Sequence, residues 1–184
     1  MRRERTPSAT TRGMGIPVPA RVRWAVDVLD PAPADRIVEI GGGPGVSAAL
    51  ICDRLTTGHL LAVDRSAVAV RRTTQRNAHH VASGRLDVVQ CELDALDGPP
   101  DGFDAALTLD VNLFWVRDAS RELVVLRRLL RPGGRLHVLY GASGPTGGER
   151  VLGIVEEALR RHGFAEVTGR TADAGFGVSA RAPG

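Results

Sequence analysis

The chain has 184 residues, long enough to bury one self-sufficient core, and its net charge of only +3 argues against a surface built around nucleic acid. No run of about eighteen apolar residues occurs, and the opening residues lack the apolar stretch of a signal peptide, so the reading expects a cytoplasmic protein without a membrane span. Cys52 and Cys91 fall in a predicted helix and strand and read as small core residues. His59, His79, His80, His137 and His162 show no ligand spacing with cysteine or carboxylate, so no metal site is expected.

Residues 1–18 carry Pro, Gly, Ser and Thr with few large apolar side chains and read as a flexible arm holding Arg2, Arg3, Arg5 and Arg12. Residues 19–184 read as a single domain. A helix over 19–29 puts Val22, Val26 and Leu29 on one stripe with Trp24 beside it, and Asp30-Pro-Ala-Pro-Ala stops it. Strands are then expected near 36–41, 59–64, 86–91, 103–109 and 135–141, alternating with helices near 45–56, 66–79, 118–131 and 147–162. Ser66 and Asp118 are the expected N-caps, and Pro132-Gly-Gly ends the helix over 118–131. Such alternation implies a parallel sheet covered on both faces. Two last strand patterns, from Phe164 and from Gly177, are separated by Ala-Asp-Ala-Gly and form a hairpin, so one of them runs antiparallel to the rest.

Chemistry concentrates at the first strand and its loop, Arg36-Ile-Val-Glu-Ile-Gly-Gly-Gly-Pro-Gly45, followed by Leu60-Leu-Ala-Val-Asp64. Glycines let a ligand approach bare backbone, and the helix beginning near Gly45 points free N–H groups at it. Asp64, at the end of the second strand, is placed to accept hydrogen bonds from two ribose hydroxyls. A dinucleotide fingerprint would need glycine at position 46, where this chain has Val46. Glu39, two residues before the first glycine, would repel a pyrophosphate but support an amino group or a sulfonium. A nicotinamide-dependent oxidoreductase is therefore disfavoured.

The stretch Val38-Glu-Ile-Gly-Gly-Gly-Pro-Gly45 resembles the first motif of class I S-adenosylmethionine-dependent methyltransferases, whose usual form has Cys or Ala at position 42 and Thr or Pro at 44. Val88-Val-Gln-Cys-Glu-Leu-Asp-Ala-Leu96 is similar to the family's adenine-contacting segment, with Glu92 where Asp is more frequent. Phe103–Leu109, Leu113–Asp118 and Arg121–Leu136 resemble the fourth strand, its loop, and the helix, turn and fifth strand. The resemblance covers roughly residues 20–182 in the family's order. It implies an α/β, Rossmann-like, doubly wound and mostly parallel seven-stranded sheet ending in an antiparallel hairpin. It also implies S-adenosyl-L-methionine as cofactor, with S-adenosyl-L-homocysteine as product. The residues implied to bind it are Glu39, Gly41, Gly42, Gly43, Gly45, Asp64, Arg65, Glu92, Leu93 and Asp110. The loop would wrap the methionine part, Asp64 hold the ribose, and Glu92 and Leu93 flank the adenine.

The implied activity is methyl transfer to an oxygen, nitrogen or sulfur nucleophile of a small molecule, by a monomer or homodimer. No general base stands out. Asp110 and Tyr140 are the catalytic candidates, with His137 a third, and Phe114 and Trp115 read as packing residues. Two rival readings remain: a cofactor-binding protein without turnover that acts through a partner, and an RNA methyltransferase using the arginine arm. Arg71, Arg72 and Arg76 read as a solvated helix face. The Asn/Asp-Pro-Pro-Tyr/Phe motif of enzymes that methylate base amines is absent after strand four, which ends Leu-Asp-Val-Asn.

Overall fold

The computed structural model describes residues 17–184. Nearly all of the expected arm, with its four arginines, lies outside them. The elements run α1 (Ala20–Leu29), β1 (Arg36–Ile40), α2 (Val46–Arg54), β2 (His59–Asp64), α3 (Ala67–Arg76), α4 (Ala78–Ala82), β3 (Leu86–Gln90), β4 (Phe103–Leu109), α5 (Leu113–Val116), α6 (Ser120–Leu129), β5 (Leu130–Gly141), α7 (Gly148–Arg161), β6 (Ala165–Ala172) and β7 (Gly175–Arg181). The strands form one seven-stranded sheet in the order β3-β2-β1-β4-β5-β7-β6. β7 is the antiparallel member, inserted between β5 and β6. The doubly wound sheet and its terminal hairpin are those expected. No helix among the described residues is long and apolar enough to cross a membrane.

Alternation along the central strands sorts the core into two layers. Ile37 of β1 packs on one face with Val26 and Leu29 of α1, Ile51 of α2 and Leu55 just after it. Its neighbour Val38 packs on the other face with Leu123 and Leu126 of α6 and Val151, Val155 and Leu159 of α7. Those three α7 residues recur every fourth position, so one stripe of the helix seats on the sheet. The carboxyl ends of β1, β2, β3 and β4 are thereby fixed side by side. In this topology the chain order reverses between β1 and β4, and a crevice opens there.

Four local expectations are corrected. The helix expected over 66–79 breaks at Asn77, whose buried side-chain amide donates to Thr73 O (2.9 Å) and to Gly45 O (3.0 Å) and holds a non-helical backbone. Ser66 does cap α3, accepting from Ala69 N. At α6 the cap position belongs to Ala119, and Asp118 instead accepts from Ser120 N at 3.0 Å, one residue further along. β5 starts at Leu130 rather than 135: Leu130 pairs with Phe103, the next pairing is Arg135 with Ala105, and Pro132-Gly133-Gly134 forms the bulge between them. Cys91 lies one residue past β3 and is half-buried rather than a core strand residue.

Candidate functional site

A cavity of about 390 Å³ occupies the crevice. Gly41 after β1, Asp64 and Arg65 at the end of β2, Cys91, Glu92 and Leu93 after β3, and Asp110 to Leu113 after β4 all face it, closed by Val116 and Arg117 of the α5 segment. Six of the residues proposed from sequence therefore line one space: Gly41, Asp64, Arg65, Glu92, Leu93 and Asp110. Gly42, Gly43, Gly45 and Glu39 shape the loop without lining it.

The loop geometry follows from its glycines. Gly41, Gly43 and Gly45 have φ of +74°, +54° and +74°, a region costly for residues with a Cβ. Gly41 also has no room, since a Cβ there would lie 2.5 Å from Val111 Cγ2. Asp64 joins the loop to the next helix: its carboxylate accepts from Gly43 N at 3.2 Å and from Ser66 N at 2.9 Å. Each carboxylate oxygen has a further lone pair, so acceptor capacity remains for hydroxyl donors.

Three successive loop carbonyls are held by one helix, a feature the sequence reading missed. Thr73 Oγ1 donates to Gly43 O (2.9 Å), Arg76 Nε to Pro44 O (2.8 Å) and Asn77 Nδ2 to Gly45 O (3.0 Å). Spacing of three and four residues puts these side chains on one helical face, the one signal that could have revealed them. Arg76 is thus a loop anchor, while Arg71 and Arg72 are exposed as expected.

Glu39 lies beneath the loop, 1% exposed, with Oε2 lacking a partner among the described residues. A Cβ on Gly42 would sit 2.7 Å from that oxygen, which explains glycine there. Burial pushes the Glu39 carboxyl up to about 7, a hydrogen bond from Ser47 opposes the rise, and the nearby Asp64 charge adds to it.

At the other side, Asp110 adopts φ +61° and ties three elements together. Its carboxylate accepts from Gly141 N (2.8 Å) at the end of β5 and from Arg21 Nε (3.0 Å) on α1. The remaining base candidates lie outside the cavity. Tyr140 is buried, its hydroxyl donates to Val111 O at 3.3 Å, and burial with the Asp110 charge drives its pKa above the usual tyrosine value. His137 is buried against Ser179 Oγ (2.9 Å), and burial and three arginines hold it down to about 3. Phe114 is core, as expected; Trp115 is half-buried, its indole N–H donating to Asn112 Oδ1 at 3.3 Å. Away from the loop, at the far end of α2, Asp53 comes together with His79 and His80, their ligand atoms within 4.8 Å of one another, a proximity that spacing alone did not reveal.

A family model described as a methyltransferase domain matches residues 37–134, from β1 to the bulge in β5. The chain belongs to the class I S-adenosylmethionine-dependent methyltransferases. The family's cofactor is S-adenosylmethionine, and the cavity suits it: two carboxylates for hydroxyl and amino donors, a bare glycine backbone, and a buried acid under the loop with one oxygen lacking a partner among the described residues. Similar curated proteins include the ubiquinone/menaquinone biosynthesis C-methyltransferase UbiE of Stenotrophomonas maltophilia, 33% identical over 120 residues, covering 64% of this chain and 46% of that protein. Its namesake from Vibrio vulnificus is 33% identical over 121 residues, covering 64% and 45%. The chain thus spans about half the length of the curated relatives it matches. Among solved structures, a methyltransferase of Aquifex aeolicus superposes with TM-score 0.73 at 16% identity, covering 88% of this methyltransferase-family chain and 89% of its own. The [4+2]-cyclase SpnF superposes with TM-score 0.70 at 18% identity, covering 88% and 79%. This fold therefore does not fix the reaction.

Proposed function

We propose that the protein transfers a methyl group from S-adenosylmethionine to an electron-rich carbon of a small molecule. One observation carries the reading: Gly41, Asp64 and Glu92, from the ends of three adjacent strands, converge on one cavity of cofactor size. When bound, the cofactor supplies an electrophilic methyl on a sulfonium. In this reading Asp64 accepts from the ribose hydroxyls, Glu92 accepts from the adenine amino group, and Leu93 packs on the ring. Gly41 and the anchored loop receive the methionine part, and Asp110 faces its amino group.

In this reading no carboxylate of the cavity is left to serve the acceptor as base, since Asp64 and Glu92 are taken by the cofactor and Asp110 faces its amino group. Asp110 is engaged by Arg21 and Gly141, and Tyr140 and His137 lie elsewhere. The acceptor then has to arrive already nucleophilic, and positioning with exclusion of water supplies the rate. An enolate-like or phenolate carbon meets that requirement, and carbon is the atom class named for the curated relatives, which favours it over the oxygen, nitrogen or sulfur first expected. A second reading, cofactor binding without methyl transfer, draws on the neighbour named as a cyclase. Incubation with methyl-labelled S-adenosylmethionine, an S-adenosylhomocysteine hydrolase and a panel of phenolic and enolic acceptors separates the two. Label on a carbon of an acceptor supports transfer; tight cofactor binding with no label on any acceptor supports the second reading.

A further inference from the structure

Next to the cofactor cavity a second cavity of about 320 Å³ opens between α5 and the first turns of α7. Trp115, Val116, Val151 and Ile154 make its apolar walls, and Thr146 and Arg150 supply its polar groups. Val116 lines both cavities, so the two meet at that side chain. The same valine is 57% exposed, one of few large apolar side chains left to solvent among the described residues. Trp115 is held by its bond to Asn112, presenting a fixed aromatic surface. Arg150 makes no ion pair or side-chain hydrogen bond among the described residues, whereas Arg117 nearby is paired with Glu122 and Arg161 with Glu157. Thr146 and Arg150 follow β5, and Trp115 and Val116 follow β4. The groove thus lies over the carboxyl ends of adjacent strands, the edge where this architecture binds its ligands.

We propose that this groove binds the methyl acceptor, and that the acceptor is an apolar ring compound bearing one anionic group received by Arg150. The proposal rests on the methyltransferase reading above and deepens it. The volume falls in the small-molecule range. Apolar walls with one unpaired guanidinium select for a single anionic group on an apolar body: a carboxylate accepts two parallel N–H bonds from the fork, a phenolate oxygen accepts a charge-assisted bond from it, and a cation there is repelled. Burial of a ring against Trp115 and Ile154 supplies the rest of the affinity. Where the anionic group is a phenolate, the ring carbons are also electron-rich, which fits an acceptor that arrives already nucleophilic.

The test is calorimetry on the full chain saturated with S-adenosylhomocysteine, with 2-naphthoate as anionic probe and 2-naphthylmethylammonium as a cation of the same ring. The expected result is one-to-one binding of 2-naphthoate, with the cation weaker by about tenfold or more. Arg150→Gln should weaken 2-naphthoate by about tenfold, and Ile154→Asp should abolish its binding, while both variants keep wild-type affinity for S-adenosylhomocysteine. The proposal is overturned if 2-naphthoate does not bind the cofactor-saturated protein, if both probes bind equally, if neither variant changes the affinity, or if 2-naphthoate displaces S-adenosylhomocysteine. Absence of S-adenosylhomocysteine binding in folded wild type is a separate outcome, which sinks the cofactor reading and this role of the groove together.

Discussion

The two sides of the crevice are built differently. On the β1–β2 side nearly every polar group of the loop is committed: Thr73, Arg76 and Asn77 hold three carbonyls in a row, and Asp64 holds an amide at either end of the connection. On the β4–β5 side the lining is an apolar shelf around Val116, Asp110 pinned by Arg21, and an arginine without a partner among the described residues. The first arrangement preorganises backbone for one ligand shape; the second offers surface that side-chain changes can retune without disturbing the sheet. In the proposed reading the cofactor meets a fixed loop backbone together with Asp64 and Glu92, and the acceptor meets side chains alone.

That contrast is most exposed at Asn77. Asn77→Ala removes a buried amide bonded to two carbonyls, with an expected loss of about 3 kcal/mol in urea unfolding. Affinity for S-adenosylhomocysteine should fall as well, because the Gly45 carbonyl of the loop is released. A variant that loses stability but keeps full affinity would show that the anchors serve the fold alone.

Glu39 sharpens the same side through pH. Its folded pKa, about 7, lies above the ordinary value of 4.5, so its contribution to stability is complete below 4.5 and is lost as pH rises through 7. Glu39→Gln should abolish this decline, worth roughly 3 kcal/mol by pH 8, in denaturation midpoints measured from pH 4.5 to 8. Retention of the wild-type slope in the variant would assign the titration to another group.

The smallest effect is expected on the open side. Tyr140→Phe removes one hydrogen bond to Val111 O, costs about 1 kcal/mol of stability, and leaves methyl transfer within about twofold. A drop in kcat of an order of magnitude or more at unchanged cofactor affinity would return Tyr140 to the catalytic candidates.

The difference also explains what could be read from the sequence. Strand positions and the glycine loop are legible because they depend on local patterns: alternation of apolar residues, glycines where φ is positive, and a carboxylate ending β2. Arg76 read as solvated because its partner, Pro44 O, is a backbone atom 32 positions earlier, which residue type does not announce. The break at Asn77 and the shift of β5 to Leu130 were hidden for the same reason, since each is decided by a tertiary hydrogen bond or strand pairing rather than by propensity. Tyr140 and His137 are plausible bases by type, and their burial away from the cavity lining weighs against both. The groove around Arg150 leaves no motif because it is assembled from α5 and the start of α7, some thirty positions apart.

The central claim is that Asp64 anchors a nucleoside at this crevice. Titration of S-adenosylhomocysteine into wild type and Asp64→Ala by calorimetry, with thermal melts to confirm that both are folded, tests it directly. The account predicts one-to-one binding by wild type and a loss of about 100-fold in the variant, the cost of two hydrogen bonds to a charged group. Folded wild type that binds no ligand, or a folded variant that binds as tightly as wild type, would contradict it.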